Sequence, residues 1–186
     1  MSHTEKYTKT AVVLHWLIAL LVGLNILLAI TVDYFPDSFV RPMIDFHKSI
    51  GITVLGLVFL RILWRLTHRP PPLPADYKPW EALLANTAHY ALYVLIIAMP
   101  FSGWISDSGW KGAATHPMML FWIIPWFRFG FITSMDAANQ KYIHDLFGNI
   151  HTLLSYGLYG VLGLHTLGAL KHQFVDKQPA FQRMWK

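Results

Sequence analysis

One stretch of this chain limits its fold more than any other. Residues Gly148 to Leu170, GNIHTLLSYGLYGVLGLHTLGAL, run for 23 positions without a formal charge, long enough to cross a bilayer core as a helix. Within it stand His151 and His165, fourteen positions apart. Fourteen helical steps return to within about 40° of the starting direction and rise about 21 Å. One helix therefore presents two imidazoles on one face, one near each membrane surface. Ionisable side chains inside a lipid-spanning segment are costly and usually functional, and neutral imidazole is the commonest side-chain metal ligand. The plainer alternative is a pair of histidines that hydrogen-bond to neighbouring helices.

Three further apolar runs have similar length: Ala11 to Val32, about Phe46 to Leu66, and about Ala82 to Ile105. Charged residues make up 13% of the 186 residues, about half the share in an ordinary soluble domain. Little chain is left outside the spans. The reading is an all-α integral membrane protein, a four-transmembrane-helix bundle in which residues 1–186 form a single domain. The first span is too long for a typical signal-peptide core, and no small-residue cleavage site closes it, so it is expected to stay. Cysteine is absent, which excludes disulfides, thiolate ligands and cysteine-bound iron–sulfur clusters. The net charge of +5 sits at span ends, which fits topogenesis and not a nucleic-acid surface. Prolines between His68 and Pro79 forbid a helix there, and Pro100 is expected to kink the third span. The long connection Ser106–Phe147 contains MMLFWIIPWF, too short to span; it is expected to lie over one face as an interfacial or re-entrant aromatic segment.

Basic residues give the orientation. With the N-terminus inside, the inner segments hold ten lysines and arginines and the outer segments five, which places both termini in the cytoplasm. Depth then sorts the histidines. His47 and His151 share the outer layer; His15, His89 and His165 share the inner one. Two imidazoles facing each other suit bis-histidine ligation of a haem iron, which fills both axial positions and favours electron transfer. The outer pair is determined. The inner layer has one histidine more than a pair requires. Gly51, one turn beyond His47, is expected to leave room for a flat ligand.

The residues His15-Trp16-Leu17, His47 before Gly51, and HTLLSYGLYGVLGLH followed by Lys171 and His172 resemble the bacterial cytochrome b561 family. That four-helix family is related to the cytochrome b subunits of nickel–iron hydrogenases and formate dehydrogenases. The resemblance covers the four spans and the proline linker, not the long outer connection. It implies a bundle enclosing two haem b groups, with His15 and His165 on the inner one and His47 and His151 on the outer. It also implies a bacterial cytoplasmic (inner) membrane location and a quinone site beside the inner haem. Some members oxidise superoxide and pass the electron to ubiquinone, which makes superoxide:ubiquinone oxidoreductase the leading activity. The alternatives are a membrane anchor that passes electrons between a partner dehydrogenase or hydrogenase and quinone, and a histidine-based proton or metal transporter.

Secondary candidates follow from position. His89, Lys78 and His172 lie at the level of the inner layer and are candidates for a quinone site. Arg41 and Lys48 flank His47 and are candidates for steering superoxide; ordinary snorkelling to the interface explains them equally well. The glycines Gly157, Gly160, Gly163 and Gly168 point away from the histidine face and are expected to serve close helix packing. No nucleotide-binding loop, catalytic triad or acidic metal cluster appears.

Overall fold

The computed structural model describes residues 6–72, 77–178 and 180–185. Four helices are long and apolar enough to cross a membrane: α1 (Lys9–Thr31), α2 (Asp37–Thr67), α3 (Pro79–Ser108) and α5 (Ala137–Leu170), the last preceded by the one-turn α4 (Gly130–Thr133). Two are longer than their apolar cores. Helix α2 begins at Asp37, and α5 begins eleven residues before Gly148, where the Asp136 carboxylate caps it by accepting the Ala138 and Asn139 backbone N–H groups at 3.0 Å each. The added first turns of α5 carry the Lys141–Asp145 ion pair one turn apart. A capped polar extension is stable outside the bilayer, where hydropathy does not register it. Helix α3 runs without a break through Pro100.

The helices pack in chain order, α1 on α2, α2 on α3 and α3 on α5. Ile18 and Val22 of α1, Ile50, Val54 and Val58 of α2, Leu92 of α3 and Leu158 of α5 form the central cluster. Among the described residues, no Cα of α1 or α2 comes within 8 Å of a Cα of α5. Of the other spanning helices only α3 brings its backbone against α5, and a slot separates the backbone of α5 from those of α1 and α2. The outward faces, with Leu20, Leu63, Leu66, Leu153 and Leu167, are apolar and exposed. A bundle whose backbone bonds are satisfied within each helix can present such faces to lipid.

The outer connection is shorter than the sequence implies, running from Gly109 to Asp136. Its aromatic segment folds into a small hairpin of β1 (Met119–Leu120) and β2 (Ile124–Pro125), turning through Phe121 and Trp122 at positive φ. Met118 and Leu120 are buried against Ile52 and Trp104. The Phe121 N–H donates to Ser49 Oγ at 2.9 Å, and Trp122 stacks on Phe46 with planes 8° apart. The hairpin thus lies over the outer ends of α2 and α3, beside His47.

The span glycines do not behave as expected. Only Gly157 meets a neighbour, Leu95; Cβ atoms at Gly160, Gly163 and Gly168 would meet nothing within 4 Å. The close approach is at Gly109, where a Cβ would lie 2.6 Å from the Gln140 carbonyl oxygen and 2.9 Å from the His144 nitrogen. Both are backbone atoms of α5, so α3 and α5 must separate to admit a methyl group. Gly109→Ala should therefore cost about 1–3 kcal/mol, read as a lower thermal unfolding midpoint in detergent. An unchanged midpoint would show that the two helices do not depend on this contact.

Candidate cofactor-binding layers

The slot beside α5 is bridged by histidines at two depths. In the outer layer the rings of His47 (α2) and His151 (α5) stand 6.2 Å apart, with planes crossed at 73°. In the inner layer His15 (α1) and His165 (α5) stand 6.3 Å apart, crossed at 76°. His89 of α3 reaches the same inner layer, 5.2 Å from His165.

These spacings can be tested against ligation. A metal–imidazole bond of about 2 Å, with the ring centre about 1 Å behind its nitrogen, puts two opposed ligands of one ion about 6 Å apart centre to centre. Both inter-helix pairs meet that separation. The third contact, between His89 and His165, is about an ångström shorter.

Proton positions divide the layers further. His47 Nδ1 lies 3.2 Å from the Asn25 carbonyl oxygen, and His151 Nδ1 lies 3.0 Å from that of Met99. A carbonyl only accepts, so each Nδ1 carries the hydrogen and each Nε2 keeps a free lone pair. Fixing the ligand ring through its other nitrogen is the arrangement that metal-binding histidines use. Ser102 Oγ adds a contact to His151 Nδ1 at 3.1 Å. Gly103 makes space for that ring, since a Cβ there would lie 3.2 Å from His151 Cε1. Gly51 does not make the corresponding space for a ligand: it faces Asn25, whose Nδ2 is 3.7 Å from the position of its absent Cβ. A Cβ at Gly51 would make an ordinary contact there, so the α1–α2 approach does not depend on the glycine.

The inner layer meets the spacing but not the tautomer. Arg61 Nη1 is 2.9 Å from His15 Nδ1. A guanidinium only donates, so Nδ1 accepts here and the hydrogen sits on Nε2. Ligation through His15 Nε2 requires Arg61 to release the ring. His89 and His165 make no hydrogen bond among the described residues, so their nitrogens are free.

The inner layer opens into a cavity of about 420 Å³ lined by His15, His89, His165 and His172. Of the sequence-derived quinone candidates, His89 and His172 line it. Lys78 does not; it is exposed at the N-terminus of α3, where its N–H donates to Glu81. The lysine at the cavity is Lys171, bonded to Glu81 at 2.8 Å and to Asp176 at 2.6 Å. The Lys171 hydrogen bond, with help from His172, holds the Asp176 carboxyl below the usual carboxylate range. His172 Nδ1 donates to the same Asp176 carboxylate at 2.8 Å, and its ring stacks on Tyr77. Nothing in the sequence pairs Glu81 with a residue ninety positions later.

On the outer face, Arg41 and Lys48 are not free cations. Arg41 pairs with Asp45 at 3.1 Å and lies over the Trp110 ring. Lys48 bridges Asp45 at 2.7 Å and Asp107 at 3.1 Å. Arg128 binds the other oxygen of Asp107 at 2.8 Å. Three cations and two carboxylates leave one net positive charge. His144, one layer further out, hydrogen-bonds the Ser106 carbonyl at 2.9 Å and so ties α5 to α3.

A four-helix membrane bundle with imidazoles paired across a slot at two depths fits a membrane cytochrome of the b type. The chain belongs to the prokaryotic cytochrome b561 family, whose model matches residues 6–186. It is thus a membrane electron-transfer protein, and b-type haem comes with the family. Among its relatives, cytochrome b561 homolog 2 of Escherichia coli (strain K12) is 33% identical over 184 residues, covering 97% of this chain and 91% of the relative. A protein of Yersinia pestis named probable superoxide oxidase CybB is 31% identical, covering 97% and 96%. Cytochrome b561 homolog 1 of E. coli is 25% identical, covering 97% of each chain.

Proposed function

We propose that this chain holds two haem b groups, one between His47 and His151 and one between His15 and His165. We further propose that it oxidises superoxide at the outer face and reduces ubiquinone on the inner side. The observation that carries the reading is the pair of ring separations, 6.2 and 6.3 Å, across one slot at two depths. Haem at each layer supplies one-electron chemistry at a bis-histidine iron. The similarity to a probable superoxide oxidase supports the choice of donor.

The protein's own residues supply the remainder. The carbonyls of Asn25 and Met99 hold the Nδ1 hydrogens of the outer pair, leaving each Nε2 as a ligand. The hairpin over α2 limits access to that layer. Superoxide, a small anion, crosses an apolar core poorly, so it is consumed on the side where it arises. Two superoxide ions yield two molecules of dioxygen and two electrons; ubiquinone takes those electrons with two protons. The inner cavity, with His89 and His172 in its wall, is the proposed quinone site, and Lys171 stands where Lys78 was expected.

The test is stopped-flow mixing of the haem-loaded protein with superoxide. Absorbance should report haem reduction, followed by reoxidation when ubiquinone is added. Changing Arg41 and Lys48 together to Gln turns the outer cluster from one net positive to one net negative charge. That should slow reduction about tenfold at low salt and flatten its dependence on ionic strength. Reduction by an uncharged donor should stay within about twofold. No superoxide-driven reduction in the fully loaded protein would refute the activity and make a partner dehydrogenase the donor.

Both termini are proposed to lie in the cytoplasm, on the ten-to-five basic asymmetry. A reporter active only in the periplasm should therefore be silent when fused after Lys186. Activity there would invert the two layers.

A further inference from the structure

A second cavity, of about 370 Å³, lies at the inner ends of α1 and α2. Four cations line it, namely Lys6, Arg61, Arg65 and Arg69, and among the described residues no carboxylate does. Lys6, Arg65 and Arg69 make no ion pair with any described residue. Uncompensated like charges around one concavity repel each other and focus potential on it, which attracts an anion.

The cavity is constructed from three separate segments held in fixed relation. The Trp64 ring stacks on His68 at 3.8 Å, and Trp64 Nε1 donates to Thr8 Oγ1 at 2.8 Å, which ties the N-terminal segment to α2. Arg183 donates to the Pro71 carbonyl at 3.2 Å and the Pro72 carbonyl at 2.5 Å. It thereby holds the proline linker as the opposite wall. The Tyr7 N–H donates in turn to the Arg183 carbonyl at 3.2 Å. The N-terminal segment, the end of α2 and the linker therefore converge by hydrogen bonds, not by charge, and Lys6, Arg65 and Arg69 meet no carboxylate among the described residues.

The position identifies the anion. The cavity sits at the end of a membrane-spanning helix, where the bilayer core gives way to headgroups. On the opposite face of the same turns of α2, Leu63 and Leu66 are 60% and 75% exposed, so the helix still meets lipid at the level of the cations. We infer that this cavity binds the phosphate of one anionic phospholipid, with Lys6, Arg65 and Arg69 around the headgroup. Basic pockets between membrane helices take anionic headgroups by this chemistry. The inference is independent of which substrate the histidine layers serve.

Arg61 and Arg65 also line the histidine cavity, so the test relies on Lys6 and Arg69, which line only the basic one. The haem-loaded full-length protein, purified in mild detergent, is mixed with phosphatidylglycerol or with phosphatidylcholine of the same acyl chains. Native mass spectrometry then counts retained lipid. One phosphatidylglycerol per chain should be kept in preference to phosphatidylcholine. Lys6→Gln with Arg69→Gln should weaken its retention about fivefold for each cation removed, with haem content unchanged. Equal retention of the two lipids would overturn the inference, as would unchanged retention in the double variant. Inorganic phosphate provides the last arm: it should not displace the lipid at equal concentration. Displacement by inorganic phosphate would make a free anion the occupant and refute the lipid.

Discussion

Replacing His47 or His151 with Ala is expected to remove one of two haems and leave the spectrum of the other in place. Replacing His15 or His165 should remove the complementary one. The outer result follows from a site whose rings already have ligand spacing and whose Nδ1 hydrogens are already held by the Asn25 and Met99 carbonyls. Loss of either ring would leave one histidine to hold a haem there, and no other histidine reaches that layer among the described residues. Gly103→Val should have the same effect without touching a ligand, because even its Cβ would lie within 3.3 Å of two His151 ring atoms. The inner layer offers a stricter comparison. His89→Ala should keep both haems, since its ring is too close to His165 for an ion between them in a straight line. Low-temperature absorption spectra and redox titration of each variant distinguish the two haems. A His89→Ala variant that loses the inner haem while His15→Ala retains it would exchange the assignment of these two residues.

The second large effect concerns stability. Asp107→Ala is expected to cost about 3–5 kcal/mol, because it leaves the largely buried Arg128 without a carboxylate and Lys48 with Asp45 alone. The Asp107 side chain is 10% exposed, and it accepts from Lys48 and from Arg128, which are 12% and 7% exposed. Arg128 Nη1 also donates to the carbonyls of Ala113 and His116 at 3.0 and 2.7 Å, so the guanidinium clamps the outer connection to the end of α3. Removing both charges should be less harmful than removing one. Asp107→Ala with Arg128→Met should recover part of the loss, since the penalty is chiefly that of an uncompensated buried charge. Chemical unfolding in detergent gives the comparison. A double variant less stable than the sum of the two single variants would contradict this account of the ion pairs.

What the sequence made legible, and what it hid, follows one physical division. The membrane spans and the depth of each histidine are periodic or compositional properties of contiguous chain, and His47 with His151 could be matched on that basis alone. The choice between His15 and His89 is a matter of distances between helices, and linear spacing holds no information about them; the Arg61 contact to His15 was invisible for the same reason. Hydropathy located the apolar part of α5 but not its polar first turns, because a helix end capped by Asp136 needs no lipid. The glycines of α5 face away from the histidines, a position that suits close packing, yet Gly109, outside the apolar run, is the one in contact with the backbone of another helix. Lys78 stands on the linker at the level of the inner layer, but the lysine that folding brings to the cavity is Lys171, paired with Glu81.

The central claim is that one slot holds two haems, at the two layers of opposed histidines. Pyridine haemochrome analysis of the unmodified protein, set against protein concentration from amino-acid analysis, tests it most directly. The account predicts two haem b per chain. A ratio of one in fully loaded protein would contradict it, and would leave one of the two histidine pairs without a cofactor.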